Sequence, residues 1–205
     1  MKYGVYGIVA ILIFILAGFG IFYLYGTGVF DKAVKYQEEV DAKWADVQSS
    51  YQRRADLIGN LVETVKGAAD FEQETLTAVV EARAKATSIQ VDPATASPEE
   101  LKAFEEAQGG LKSALGRLLV TVERYPELKA TEAFMQLQAQ LEGTENRINT
   151  ARDRYNEAVK NYNSHIRGFW KSKALSFVAD EPFEKRNGFE ASAEAQEAPK
   201  VNFGE

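Results

Sequence analysis

The sequence has no cysteine and a single histidine, His165. That removes disulfides, thiol nucleophiles, iron–sulfur clusters and the thiolate or multi-histidine zinc sites. Positive charge is short as well: 24 Lys and Arg stand against 30 Asp and Glu, a formal net charge of −6. Binding to a phosphate backbone draws its affinity from Lys and Arg displacing counterions, and no basic cluster is present to do so. Nucleic acid is therefore excluded as an expected partner. Catalytic signatures are missing too, with no G-x-S-x-G, no G-x-x-x-x-G-K and no H-E-x-x-H. No catalytic, cofactor-binding or metal-ligating residue is expected. Strand-like alternation is absent before residue 175, which leaves an all-α reading.

The most telling gap is in the charges. Residues 3–25 carry none, and Lys2 is the only charge among residues 1–29. As a helix, residues 3–25 would reach roughly 34 Å, enough for a hydrocarbon core of about 30 Å. A cleaved signal peptide is the alternative, but the apolar run continues through Gly20-Ile21-Phe22-Tyr23-Leu24-Tyr25 without an A-x-A site. Tyr3, Tyr6, Tyr23 and Tyr25 stand near the two ends, where amphipathic rings favour the headgroup level. Residues 1–29 are read as a single-pass anchor. Lys2 and the amino terminus oppose Lys32, Lys35 and Lys43, so the side of the membrane stays open.

What remains, at 205 residues in all, is enough for one domain. Val40, Trp44, Val47, Tyr51, Ile58, Leu61 and Val65 alternate steps of four and three, with Arg54 at the missing step. This is a heptad seam on a helix over 31–68. Asp70 is the expected cap of a second helix over about 71–88, which buries Leu76, Val79, Val80 and Ala86. Ser97-Pro98-Glu99-Glu100 has the form of a capping box and opens a third helix. Its stripe runs through Leu101, Phe104, Leu111, Leu115, Leu118 and Val122, with Gln108 as an interruption, and Tyr125-Pro126 ends it. The last helix, from about 131 to 168, keeps three-four spacing from Phe134 through Tyr155, Tyr162 and His165 to Phe169. The predicted product is an elongated antiparallel bundle of about four helices over 30–175, followed by a flexible, acidic tail over 176–205.

Two polar clusters interrupt the apolar heptads: Arg53, Arg54, Asp56 and Asn60 on the first soluble helix, and Thr144, Glu145, Asn146 and Arg147 on the last. They form either a binding seam or an ion-pair network that fixes register, with Glu81, Arg83, Glu123 and Arg152 as further candidates. His165 lies on the apolar stripe and reads as an interface residue. A carboxylate-bridged metal site would need Glu-x-x-His, but Tyr162 stands three residues before His165. Tyr155-Asn156 and Tyr162-Asn163 repeat at seven residues, placing both tyrosines on the seam with hydroxyls at its boundary.

Several stretches resemble the LemA family of bacterial membrane proteins. They include Arg53-Arg54-Ala55-Asp56-Leu57-Ile58-Gly59-Asn60-Leu61, Glu81-Ala82-Arg83, Glu123-Arg124-Tyr125-Pro126-Glu127-Leu128, Leu141-Glu142-Gly143-Thr144-Glu145-Asn146-Arg147-Ile148, the two Tyr-Asn pairs and Ala198-Pro199-Lys200-Val201-Asn202-Phe203. Where the family commonly has Leu-Ile-Pro-Asn-Leu this chain has Gly59, and where it commonly has Phe-Pro it has Phe169-Trp170. The resemblance implies a single-pass, membrane-anchored helical bundle with no catalytic residues to carry over. The expected role is a structural or adaptor protein of the bacterial inner membrane, with a second copy or another membrane protein as partner. The alternative is a ligand-binding sensor, or a regulator of a membrane protease or transporter, working through the Arg53/Arg54 and Glu145/Asn146/Arg147 cluster.

Overall fold

The computed structural model describes residues 2–67 and 71–190, so Asp70 and the 191–205 ending lie outside the described residues. The helices in chain order are α1 (Lys2–Lys66), α2 (Gln73–Ser88), α3 (Pro98–Val122), α4 (Pro126–Lys129), α5 (Glu132–Ile166) and α6 (Phe169–Val178). No strand occurs among the described residues. At 65 residues α1 is roughly 98 Å long, and it joins the apolar segment to the bundle without a break.

Residues 6–21 of α1 are exposed throughout, including Phe14, Leu16 and Ile21. An apolar helix with no protein around it buries its side chains in something else, and this one is long enough to cross a membrane. From Val29 onward α1 becomes one wall of the bundle. Val40, Trp44, Val47, Tyr51, Arg54, Ile58, Leu61 and Val65 are all buried, so the seam read from the sequence is the core face.

The four longer helices run up, down, up and down. α1 and α5 pair antiparallel, with Arg54 opposite Glu145 and Val29 opposite His165. α2 covers only the far half of the pair, because its 16 residues reach about 24 Å. It begins after Glu72, which makes no side-chain cap, and Val80 faces solvent rather than the core, because Leu76 and Val79 already take the buried side. α3 opens with the full capping box, Ser97 Oγ accepting from the Glu100 amide at 3.1 Å and Glu100 accepting from the Ser97 amide at 2.8 Å.

The half nearer the apolar segment is closed differently. The 89–97 linker contributes Val91 and Ala96, and the chain beyond α5 contributes Leu175 and Phe189. The described part of the tail expected over 176–205 is held in place instead: α6 continues to Val178, and Arg186 and Phe189 are buried against the bundle. Phe169 also departs from the expected stripe. Gly168 is extended (φ −60°, ψ 132°), which resets the helical phase and leaves Phe169 exposed at the start of α6.

Candidate functional site

Two positions of the sequence-derived cluster meet inside the bundle. Arg54 is 4% exposed. Its Nη1 donates to Glu145 Oε2 at 3.3 Å, and Nη2 donates to the Gln108 side-chain oxygen and to the Gln108 carbonyl at 3.4 Å. Lys112 Nζ donates to the other oxygen of Glu145 at 2.8 Å. Gln108 in turn donates through Nε2 to the Ala86 carbonyl at 3.1 Å, which ties in α2. One guanidinium therefore links α1, α3 and α5, with α2 one hydrogen bond further.

The other members stay apart. Arg53, Asn60, Asn146 and Arg147 point outward, the last two lining a groove of about 480 Å³ between α1 and α5. Asp56 accepts from Gln52 at 2.9 Å and lies 4.0 Å from Arg83, whose Nε donates to the Ala55 carbonyl at 2.7 Å. Arg152 pairs with Glu105 on α3 instead, and Glu123 pairs with Lys129 on the surface.

Electrostatics fit a pair held by its surroundings. Burial pulls Arg54 below arginine's ordinary value, against the opposing influence of Tyr51 and Glu145. Burial would raise Glu145, but Lys112 and Arg54 outweigh it and hold the carboxyl below the usual range. The pair is ionised at neutral pH. Tyr51 adds a ring to the guanidinium, 5.0 Å from centroid to Cζ.

A second constellation is built on the Tyr-Asn repeat. Tyr162 Oη donates to the Glu184 carbonyl at 2.9 Å, and Tyr155 Oη donates to the Asn187 carbonyl at 3.0 Å. Asn163 donates to the Arg186 carbonyl at 2.8 Å and accepts from the Arg186 amide at 3.0 Å. Asn156 does the same for Phe189, at 3.1 and 2.8 Å. Each Tyr-Asn pair thus engages the extended chain in one way, and the pairs are offset by three residues of that chain. Seven helical residues rise about 10.5 Å and three extended residues about 10 Å, so the two repeats stay in step. Gly188 permits the approach, since a Cβ there would stand 2.7 Å from Asn156 Oδ1. Burial pushes the Tyr155 hydroxyl up to about 12, keeping it a donor at any ordinary pH.

Both constellations lie within residues 43–203, which match the model of the LemA family. The chain belongs to the LemA family. Protein LemA of Metamycoplasma hominis is 31% identical over 160 residues, covering 78% of this chain and 69% of that protein. Magnetosome protein MamQ 2 of Paramagnetospirillum magneticum is 28% identical over 183 residues, covering 81% and 64%. Magnetosome protein MamQ of Magnetospirillum gryphiswaldense is 27% identical over 150 residues, covering 65% and 55%. The chain spans less than two thirds of the length of these magnetosome proteins.

In this LemA-family chain the seam includes residues that pattern reading passed over. Gln108 stands in an apolar stripe as an apparent interruption, yet its side chain is the nearest partner of Arg54. The signal was available, since two polar residues interrupting facing stripes meet more cheaply than either is buried alone. Beside the seam, Trp44, Tyr51, Phe104, Gln90, Asp92 and Gln108 line a cleft of about 540 Å³. His165 Nε2 lies 3.0 Å from the Val29 carbonyl, which can only accept, so the ring carries its proton on Nε2. Among the described residues no three His, Asp or Glu side chains gather as a metal ion would require.

Proposed function

We propose that this LemA-family chain is a membrane-anchored structural or adaptor protein of the bacterial inner membrane, working through contacts with other proteins or further copies of itself and without catalysis. The observation that supports it is α1. One helix carries an apolar segment exposed over residues 6–21 at one end and a bundle wall at the other, so the anchor and the bundle are joined without a linker. Two of the buried polar side chains, Arg54 and Gln108, are spent on each other and on Glu145 in the seam. Contact surface is left on the outside: Val120 and Met135 are large apolar side chains exposed on α3 and α5.

The test is a photo-crosslinking residue at Val120 or Met135 in the full chain, in native membranes. A discrete adduct is expected at one of these positions, either with a second copy or with another membrane protein. Absence of adducts at both, with the chain retained after carbonate washing, contradicts the proposal. A second reading, a ligand-binding sensor using the seam, is favoured by one observation. Trp44 lines the adjoining cleft, and its buried Nε1 has no acceptor among the described residues. A folded Arg54→Met variant with unaltered thermal stability and lost function would support that reading instead.

A further inference from the structure

The short helix α6 runs on from α5, past the end of the bundle and down along α1. Ala174 and Val178 face Gly26, where an added Cβ would stand 2.7 Å from Val178 Cγ1, so glycine is what lets the two helices close. Phe177 packs on Phe19 and Phe22, with ring centroids 5.3 and 5.9 Å apart. Phe19 lies six residues inside Tyr25 and twelve from Asp31, the first charge after Lys2. Along the helix that is about 9 Å and about 18 Å. Whatever surrounds Phe19 therefore also surrounds the end of α6.

The outward side of α6 fits such a place. Phe169, Trp170 and Phe177 are 69%, 67% and 47% exposed, although the bundle beside them is well packed. Their helical angles fall within one arc of roughly 100°, with Lys173 in its middle. From Arg167 to Ala179 the chain has three positive charges, Arg167, Lys171 and Lys173, and with Asp180 and Glu181, which follow at once, the stretch still carries a net +1 in a protein of net charge −6. Exposed aromatic rings, of which Trp170 carries a polar edge, flanked by Lys stems that reach toward water, suit the boundary between headgroups and acyl chains. Local positive charge on an acidic protein selects anionic headgroups over zwitterionic ones.

We infer that α6 is a second membrane contact, an interfacial helix that seats Phe169, Trp170 and Phe177 in the headgroup region of an anionic bilayer beside the emerging α1. The inference rests on the reading of residues 3–25 as the membrane span. It fixes the bundle at two points, so that the rod stands at a set angle to the membrane instead of swivelling on one helix.

The chain has two tryptophans, and the other, Trp44, is buried and about 28 Å along α1 from Tyr25. The full chain is reconstituted in phosphatidylcholine–phosphatidylglycerol vesicles with and without bromine on the acyl chains, and W170F is subtracted to isolate Trp170. The expected result is at least twofold quenching of Trp170 by brominated lipid and little quenching by aqueous iodide. That lipid quenching falls in K171Q/K173Q or in pure phosphatidylcholine. Iodide quenching without lipid quenching overturns the inference, and so does protection from both quenchers, which would mean that protein covers the patch. Lipid quenching indifferent to headgroup charge and to the two lysines overturns the anionic assignment. Release of the chain by carbonate washing refutes the anchor itself, whereas retention with an iodide-accessible Trp170 refutes only the role of α6.

Discussion

Asn163→Ala isolates what holds residues 184–189 against α5. The substitution deletes two hydrogen bonds, to the carbonyl and the amide of Arg186. At about 1 kcal/mol net for each, the segment should open more easily by about 2 kcal/mol. A tenfold change corresponds to about 1.4 kcal/mol, so opening becomes roughly 25 times more frequent. The assay is amide hydrogen exchange read at Phe189, whose own partner, Asn156, is untouched. If the two Tyr-Asn pairs hold the segment as one cooperative unit, Phe189 exchanges about 25-fold faster in Asn163→Ala. Gly188→Ala should do the same by pushing Asn156 Oδ1 aside, and Asn146→Ala, on the outer face of α5, should do nothing. Unchanged protection at Phe189 in Asn163→Ala would refute the reasoning, because the contacts would then open independently.

Three further outcomes follow from the same geometry. Glu145→Ala should cost more stability than Arg54→Met, about 3 against about 1–2 kcal/mol in denaturant unfolding, because only the former strands a buried charge; equal costs would contradict the seam as described. Gly26→Leu should destabilise by about 1–3 kcal/mol through overpacking on Val178, whereas Gly7→Leu, with open space around it, should be neutral in thermal unfolding. His165 is held below 6.5 by burial, against the Val29 carbonyl and with help from Lys171 and Lys32. The folded state thus prefers the neutral ring, so His165's contribution is complete above pH 6.5 and declines as pH falls from there toward the lower folded value. Thermal unfolding between pH 7.5 and 5.5 should show that decline, and His165→Gln should flatten it.

The helical core was legible because its signal is periodic. Eight consecutive three-four positions from Val40 to Val65 predict a face, and all eight are buried, including Arg54. The capping box at Ser97 was equally plain, since its two hydrogen bonds are local in sequence. Residues 169–190 were not legible in the same way. Gly168 breaks the phase of α5, so the spacing that placed Phe169 on the stripe no longer applied. The extended segment is held through its backbone, and backbone partners leave no mark on its own residue types. The mark is on α5, where the Tyr-Asn repeat reads as core packing until its hydroxyls and amides are seen to meet carbonyls. Of the seam, Arg54 was visible at the missing step of the α1 stripe, which set it apart from its outward neighbour Arg53, whereas Glu145 stands beside the α5 stripe position Thr144 and spacing could not tell it from its outward neighbour Asn146.

As proposed above, this chain works by holding other proteins, or copies of itself, at a membrane. The direct measurement is the molar mass of the native-level complex, extracted in mild detergent and sized by light scattering with the detergent contribution subtracted. The expected result is a defined particle heavier than one 22.8 kDa chain, made either of several copies or of one chain with a co-purifying protein. A monodisperse single chain, extracted under conditions that keep known membrane complexes intact, would contradict it.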